Sequence, residues 1–204
     1  IMTGGGVILS RAAQELTDLA RKYRIPVTGT LMGLGSFPAS DPLWLGMLGM
    51  HGTYYANMAV SHCDLLLAVG VRFDDRVTGS IETFAPEAKI VHIDIDPSSI
   101  NKNVTVDLPI VGDAQSALTD LLRFLEEHHY EPDIASRQAW LSEIDEWRGK
   151  VPLTYCQNGE VIKPQFVIQT LHRLCLLYTY DAADELLCVD LGGRRIIKKK
   201  NNTH

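Results

Sequence analysis

Leu65 to Val69 is an unbroken apolar run that stops at Gly70, and Arg72, Asp74, Asp75 and Arg76 then arrive within five positions. A run of this kind reads as a strand buried on both faces, as in a parallel sheet. The charges sit just past its carboxyl end, where open α/β sheets bind ligands. The stretch from Gly70 to Gly79 therefore reads as one wall of a nucleotide site.

The rest of the chain repeats the pattern. Ile1-Met2-Thr3 reads as the end of a strand cut into by the start of the sequence, and Gly4-Gly5-Gly6 follows it. Apolar residues at helical spacing then predict a helix from Ser10 to Tyr23, with Ser10 as its N-cap. Glycines at such a turn let backbone amides approach a pyrophosphate closely, although the spacing is not GxGxxG. Ile25 to Thr30 reads as a second strand, and Leu31 to Pro38 as a glycine-rich apolar loop that packs against a neighbour or a ligand. Leu48-Gly49-Met50-His51-Gly52 is a similar loop, with His51 suited to hydrogen-bonding a cofactor or backbone, or to serving as a base. Tyr54 to Cys63 reads as a short helix. Ala88 to Pro97 is a β-branched strand ending in Asp94 and Asp96, placed to hold ribose hydroxyls or an adenine edge. Leu108 to Val111 is a further strand ending in Gly112-Asp113, with Asp113 capping a helix from Ala114 to His128. Strands alternating with helices predict a doubly wound, mainly parallel α/β sheet flanked by helices. Tyr130 to Lys150 reads as a polar helix with Trp140 and Trp147 on one face, Val151 to Lys163 as a connecting loop, and Pro164 as the first turn of another helix.

Composition sets outer bounds. The chain has 204 residues, 46% hydrophobic and 22% charged, which suits one globular domain with an appendage. A formal net charge of −6 argues against a nucleic-acid or anionic-membrane partner. Cys63, Cys156, Cys175 and Cys188 lack CxxC spacing, so zinc and disulfide frameworks are not expected. Neither a secretory signal nor a membrane-spanning run is visible.

Three segments carry a family resemblance. Gly70 to Gly79 with its Arg-Phe-Asp-Asp-Arg run, Leu48 to Gly52, and Ile93-Asp94-Ile95-Asp96-Pro97 resemble the middle domain of the acetolactate synthase (acetohydroxyacid synthase) catalytic subunit. The likeness runs from about Ile1 to Leu174. It implies an intact enzyme that uses thiamine diphosphate and Mg²⁺ to decarboxylate pyruvate. The two-carbon unit is then joined to pyruvate or 2-ketobutyrate, opening isoleucine, valine and leucine synthesis. It also implies FAD, not required for net redox chemistry, laid across this domain. By the same resemblance FAD lies against Gly4, Gly5, Gly6, Thr30, Leu31, Leu48, Gly49, Met50 and His51. It continues along Gly70, Arg72, Asp74, Arg76 and Val77 to Asp94, Ile95, Gly112 and Asp113. Asp75 and Arg76 match family positions near the substrate channel. A homodimer or homotetramer, a regulatory small subunit and a bacterial cytoplasmic setting are implied as well.

Two departures shape the expectations. The family's thiamine-activating glutamate and its Gly-Asp-Gly…Asn metal motif are not found here, and Gly112-Asp113-Ala114 lacks the second glycine. The chain alone is therefore expected to be inert, with no catalytic residue and no metal ligand of its own. The expected organisation is a central FAD-binding domain over 1–130, a helical linker over 131–163 and the start of a thiamine-diphosphate domain over 164–174. Residues 175–204, including Asp190 to Arg195 and Lys198 to Lys200, resemble a translated sequencing adapter and are expected to pack poorly. Two other readings stay open. One is a different thiamine-diphosphate carboligase or decarboxylase, such as glyoxylate carboligase, which the Arg72 to Arg76 run disfavours. The other is a non-catalytic nucleotide-binding or association module that uses Trp140 and Trp147 as partner contacts.

Overall fold

The apolar runs become a single sheet because each is too short to bury itself and each ends at a residue that lets the chain turn. The computed structural model describes residues 1–159 and 161–184. Its strands are β1 (Met2–Thr3), β2 (Val27–Gly29), β3 (Trp44–Met47), β4 (Leu65–Val69), β5 (Lys89–Asp94) and β6 (Leu108–Val111). They form one six-stranded sheet in the order β3-β2-β1-β4-β5-β6. Every pairing is parallel, with Met2 beside Thr28 and Ala68 in register, and Val69 beside Ile93. The predicted doubly wound architecture is the one observed.

Helices α1 (Gly5–Leu9), α2 (Ala13–Tyr23), α3 (Tyr54–His62), α4 (Asp75–Thr78), α5 (Ala114–Glu127) and α6 (Ile134–Lys150) accompany the sheet. Two cores follow from the alternation of side chains along the strands. Leu66, Ala68 and Ile90 face α3 and α6, where Ala56, Val60, Ile144 and Trp147 are buried. Val69, Ile93 and Val27 face the opposite side, with Leu16 and Leu19 of α2 and Leu118 of α5. Trp147 is thus a core residue, edge-on to Trp140 at 5.7 Å. The stretch expected as a linker over 131–163 supplies α6, whose Ile144 and Trp147 belong to the core over α3.

Several local expectations change. The helix expected from Ser10 begins at Ala13 as α2, and a separate short helix, α1, precedes it from Gly5; Ser10 is not an N-cap but closes α1, its amide donating to the Gly6 carbonyl at 2.9 Å. A glycine pair opens α1 because Gly6 presses against the Gly70 backbone and Gly5 against Met32. β3 and α4 are additional elements. β4 is buried from Leu66 onward except for half-buried Leu67, while Leu65 at its entrance is 54% exposed. β6 is the exposed edge strand.

Residues 1–152 form one compact unit, and the described residues from Leu153 onward belong to a second. In the second, α7 (Pro164–Asp184) starts at Pro164 as expected, and the Tyr155 hydroxyl donates to Gln169 Oε1 at 2.6 Å. Residues 185–204, with most of the segment expected to be a foreign tail, lie outside the described residues. Among the described residues no helix is long and apolar enough to cross a membrane.

Candidate functional site

The strand order creates a crevice. From β1 the chain winds outward through β2 and β3, then returns to β4 and winds the other way through β5 and β6, so the switch point lies between β1 and β4. Ligands of open α/β sheets bind outside the carboxyl ends of the strands at such a point. The segment after β1 is Gly4-Gly5-Gly6, and the segment after β4 begins at Gly70.

Those glycines are in van der Waals contact. Gly70 has φ +60°, and a Cβ on it would lie 2.5 Å from Gly6 Cα. A Cβ on Gly4 would strike the Gly70 carbonyl. The Gly4 amide donates to the Val69 carbonyl at 3.0 Å and the Gly6 amide to the Gly70 carbonyl at 3.1 Å. Two of the three amides expected to face a pyrophosphate are therefore spent on the sheet, and the triplet's first task is to close the switch point.

The charged crest after Gly70 is built to hold its shape. Phe73 adopts a left-handed φ of +51°, uncommon for a non-glycine residue. Asn103 donates from Nδ2 to the Arg72 and Phe73 carbonyls at 3.2 and 3.0 Å. His92, fully buried on β5, places Nε2 2.8 Å from the Val71 carbonyl, which makes Nε2 the protonated nitrogen. Phe73 meets the His92 ring edge-on at 4.9 Å. Burial holds His92 below the ordinary histidine value, against the opposing pull of the Val71 carbonyl and the Asp94 carboxylate. It therefore acts as a neutral donor. Outward from this brace, Arg72 pairs with Asp74 at 3.0 Å in water, their side chains 71% and 52% exposed. Asp75 and Arg76 lie in the short helix α4, with both side chains exposed.

Loops from the other strands complete the rim. Thr30 caps the turn over Leu31–Gly33, accepting from the Gly33 amide at 3.2 Å. Leu48 is buried, and Met50 donates its amide to the Arg76 carbonyl at 2.9 Å, so the loop after β3 reaches the crest after β4. His51 is exposed on that loop. Asp94 is buried and accepts from the Asp96 amide at 2.8 Å, while its own carbonyl receives the Gly112 amide at 3.0 Å. Ser98, through hydroxyl and amide, holds Asp96 below the usual carboxylate range. Asp113 caps α5 by accepting from Ser116 at 3.0 Å. Every residue expected at the site thus ends or follows a strand at the same sheet edge. Leu31, Met50 and Ile95 leave large apolar side chains exposed there, at 67%, 71% and 70%.

Exposed apolar groups beside an arginine, carboxylates and closely packed glycines suit a ligand with a flat ring system, hydroxyls and an anionic link. The larger surface cavity, about 360 Å³, lies away from this edge, and its Arg21, Arg24 and Arg148 are bonded to Asp41, Gln138 and Asp145. His92, Asn103 and Asn57 (which bonds Gly49) are the residues shaping this edge that sequence reasoning missed. Their bonds to distant backbone leave no spacing signature, and His92 read simply as part of an apolar strand.

Comparison with known proteins gives the family. Residues 1–121 match the family described as thiamine pyrophosphate enzyme, central domain. The chain is 44% identical over 184 residues to the acetolactate synthase large subunit of Haemophilus influenzae, covering 90% of this chain and 32% of the relative. It is 45% identical over 184 residues to the acetolactate synthase isozyme 3 large subunit of Escherichia coli, again 90% of this chain and 32% of the relative. A probable acetolactate synthase large subunit of Methanocaldococcus jannaschii is 47% identical over 197 residues, 96% of this chain and 32% of its own length. The chain thus spans about a third of the length of the curated relatives it matches.

Proposed function

This chain belongs to the thiamine pyrophosphate enzyme family through its central domain, and on that premise we propose that it is the middle segment of an acetolactate synthase large subunit. The observation that carries the reading is the Arg72 to Arg76 crest standing at the switch point of a sheet in the 3-2-1-4-5-6 order. The whole protein would condense two pyruvates, or pyruvate with 2-ketobutyrate, with loss of CO₂. Thiamine diphosphate with Mg²⁺ supplies that carbon–carbon chemistry when bound in the whole protein, through residues outside this segment.

This segment's own task in the proposal is to hold FAD. Arg72 is exposed and can exchange Asp74 for a diphosphate oxygen at little cost, because an exposed ion pair contributes little. Asp94 and Asp113 offer carboxylate acceptors at neighbouring strand ends for sugar or adenine donors. Leu31, Met50 and Ile95 offer apolar surface for the ring systems. In the assembled enzyme a homo-oligomer and a regulatory small subunit are proposed partners.

Recovering the complete reading frame tests this. The expected frame carries a glutamate-bearing domain before Ile1 and a Gly-Asp-Gly…Asn motif after α7, and its purified product forms acetolactate from pyruvate with thiamine diphosphate, Mg²⁺ and FAD. A frame without those flanks, or a folded product that forms no acetolactate, overturns the reading.

A further inference from the structure

The loop after β3 and the crest after β4 start from strands separated in the sheet by β2 and β1. They nevertheless touch, and one side chain sets how. The Gly49 amide donates to Asn57 Oδ1 at 2.8 Å, and Asn57 Nδ2 donates back to the Gly49 carbonyl at 3.1 Å. A single side-chain amide thereby satisfies both polar groups of one backbone residue, as a neighbouring strand would. Gly49 stands at φ +89°, and a Cβ there would come within 2.8 Å of Val77 Cα, so the loop lies directly on the crest backbone. The next amide, Met50, donates to the Arg76 carbonyl at 2.9 Å.

Asn57 is itself firmly placed. It sits on α3, whose N-cap Thr53 accepts from the Ala56 amide at 3.2 Å and donates to the Leu45 carbonyl of β3 at 2.8 Å. Its neighbours Ala56, Ala59 and Val60 are buried in the core over β4. Asn57 is only half-exposed, and both ends of its side chain are committed to Gly49.

We infer that Asn57 is a positioning residue that locks the Leu48–Met50 loop onto Arg76 and Val77, making one ligand-binding surface out of two loops. For its ligand this inference rests on the FAD reading above. Asn57 touches no ligand and acts through Gly49 and Met50. Asp at this position keeps the acceptor for the Gly49 amide but loses the donor, and Ala loses both, so the two substitutions form a graded series.

The test uses the full chain with Asn57→Ala and Asn57→Asp, followed by amide hydrogen exchange and by FAD titration read through flavin fluorescence. In Asn57→Ala, exchange at Gly49 and Met50 accelerates about tenfold or more while Val69 and Ile93 keep their protection, as expected for local opening. The FAD dissociation constant rises about tenfold in Asn57→Ala and by a smaller factor in Asn57→Asp, consistent with losing two bonds and then one. Unchanged exchange at Gly49 and Met50, or equal acceleration throughout β4 and β5, overturns the lock. Failure of the wild-type chain to bind FAD overturns the flavin reading instead, and the exchange measurement still decides the lock.

Discussion

Replacing Gly70 by Ala tests the closure of the switch point, and Gly79 supplies a comparison with strain but no contact. Both glycines have positive φ, at +60° and +61°, and Gly79 pairs it with ψ −129°. An L-residue costs about 1–2 kcal/mol of backbone strain at Gly70 and about 1–3 kcal/mol at Gly79. The surroundings differ. A Cβ on Gly79 meets nothing within 4 Å, whereas one on Gly70 stands 2.5 Å from Gly6 Cα and 2.9 Å from Gly6 N. Backbone cannot swing aside as a side chain does, so Gly70→Ala must push β1 and β4 apart at their ends. That breaks the Gly6-to-Gly70 and Gly4-to-Val69 hydrogen bonds of 3.1 and 3.0 Å. At about 1 kcal/mol each, those losses bring Gly70→Ala to about 3–4 kcal/mol, against about 1–3 kcal/mol for Gly79→Ala. Thermal unfolding followed by circular dichroism should show a drop of about 10 °C for Gly70→Ala and about 4 °C for Gly79→Ala. Equal drops for the two variants would refute the contact argument, because strain alone would then account for both.

Three further outcomes follow from the same geometry. His92 is held below its unfolded value by burial, so the unfolded chain takes up the proton first. Its stabilising effect is present above about pH 6.5 and is lost as pH falls toward the depressed folded value. Denaturant midpoints measured across that range should fall with acid in the wild type and fall less in His92→Gln, and equal slopes would contradict the assignment. Asp113→Ala removes the cap on the Ser116 amide and should cost about 1 kcal/mol, read as a small loss of thermal stability. Arg72→Ala removes only an exposed pair, so unfolding should shift by less than about 1 kcal/mol, while FAD binding weakens about tenfold and becomes less salt-sensitive.

What the sequence revealed follows from where its signals are local. The runs at Leu65–Val69 and Lys89–Asp94 are legible because they are buried by continuous apolar stretches, and Asp113 because a cap is a short-range device. β3 was hidden because Trp44-Leu45-Gly46-Met47 sits between glycine-rich loops and buries only Leu45 fully. Helix α1 was hidden because it opens on two glycines, which are poor helix formers. Gly6 is used there because Gly70 leaves no room for a side chain on it. The residues lining the strand-end rim came from the strand-end rule and a family resemblance. The residues that fix the rim's shape, Asn57, His92 and Asn103, reach backbone 8, 21 and 30 or 31 positions away. Only the folded chain brings those partners together.

The central claim is that the crest and its neighbouring strand ends form a flavin site. Titrating the folded full chain with FAD, with flavin fluorescence and visible absorbance as readouts, tests it most directly. Saturable binding at one FAD per chain is expected, with quenched fluorescence, and its loss when Arg72 and Asp94 are both replaced by Ala. A chain that is folded by circular dichroism yet binds no FAD, or binds it unchanged in the double variant, would contradict the claim.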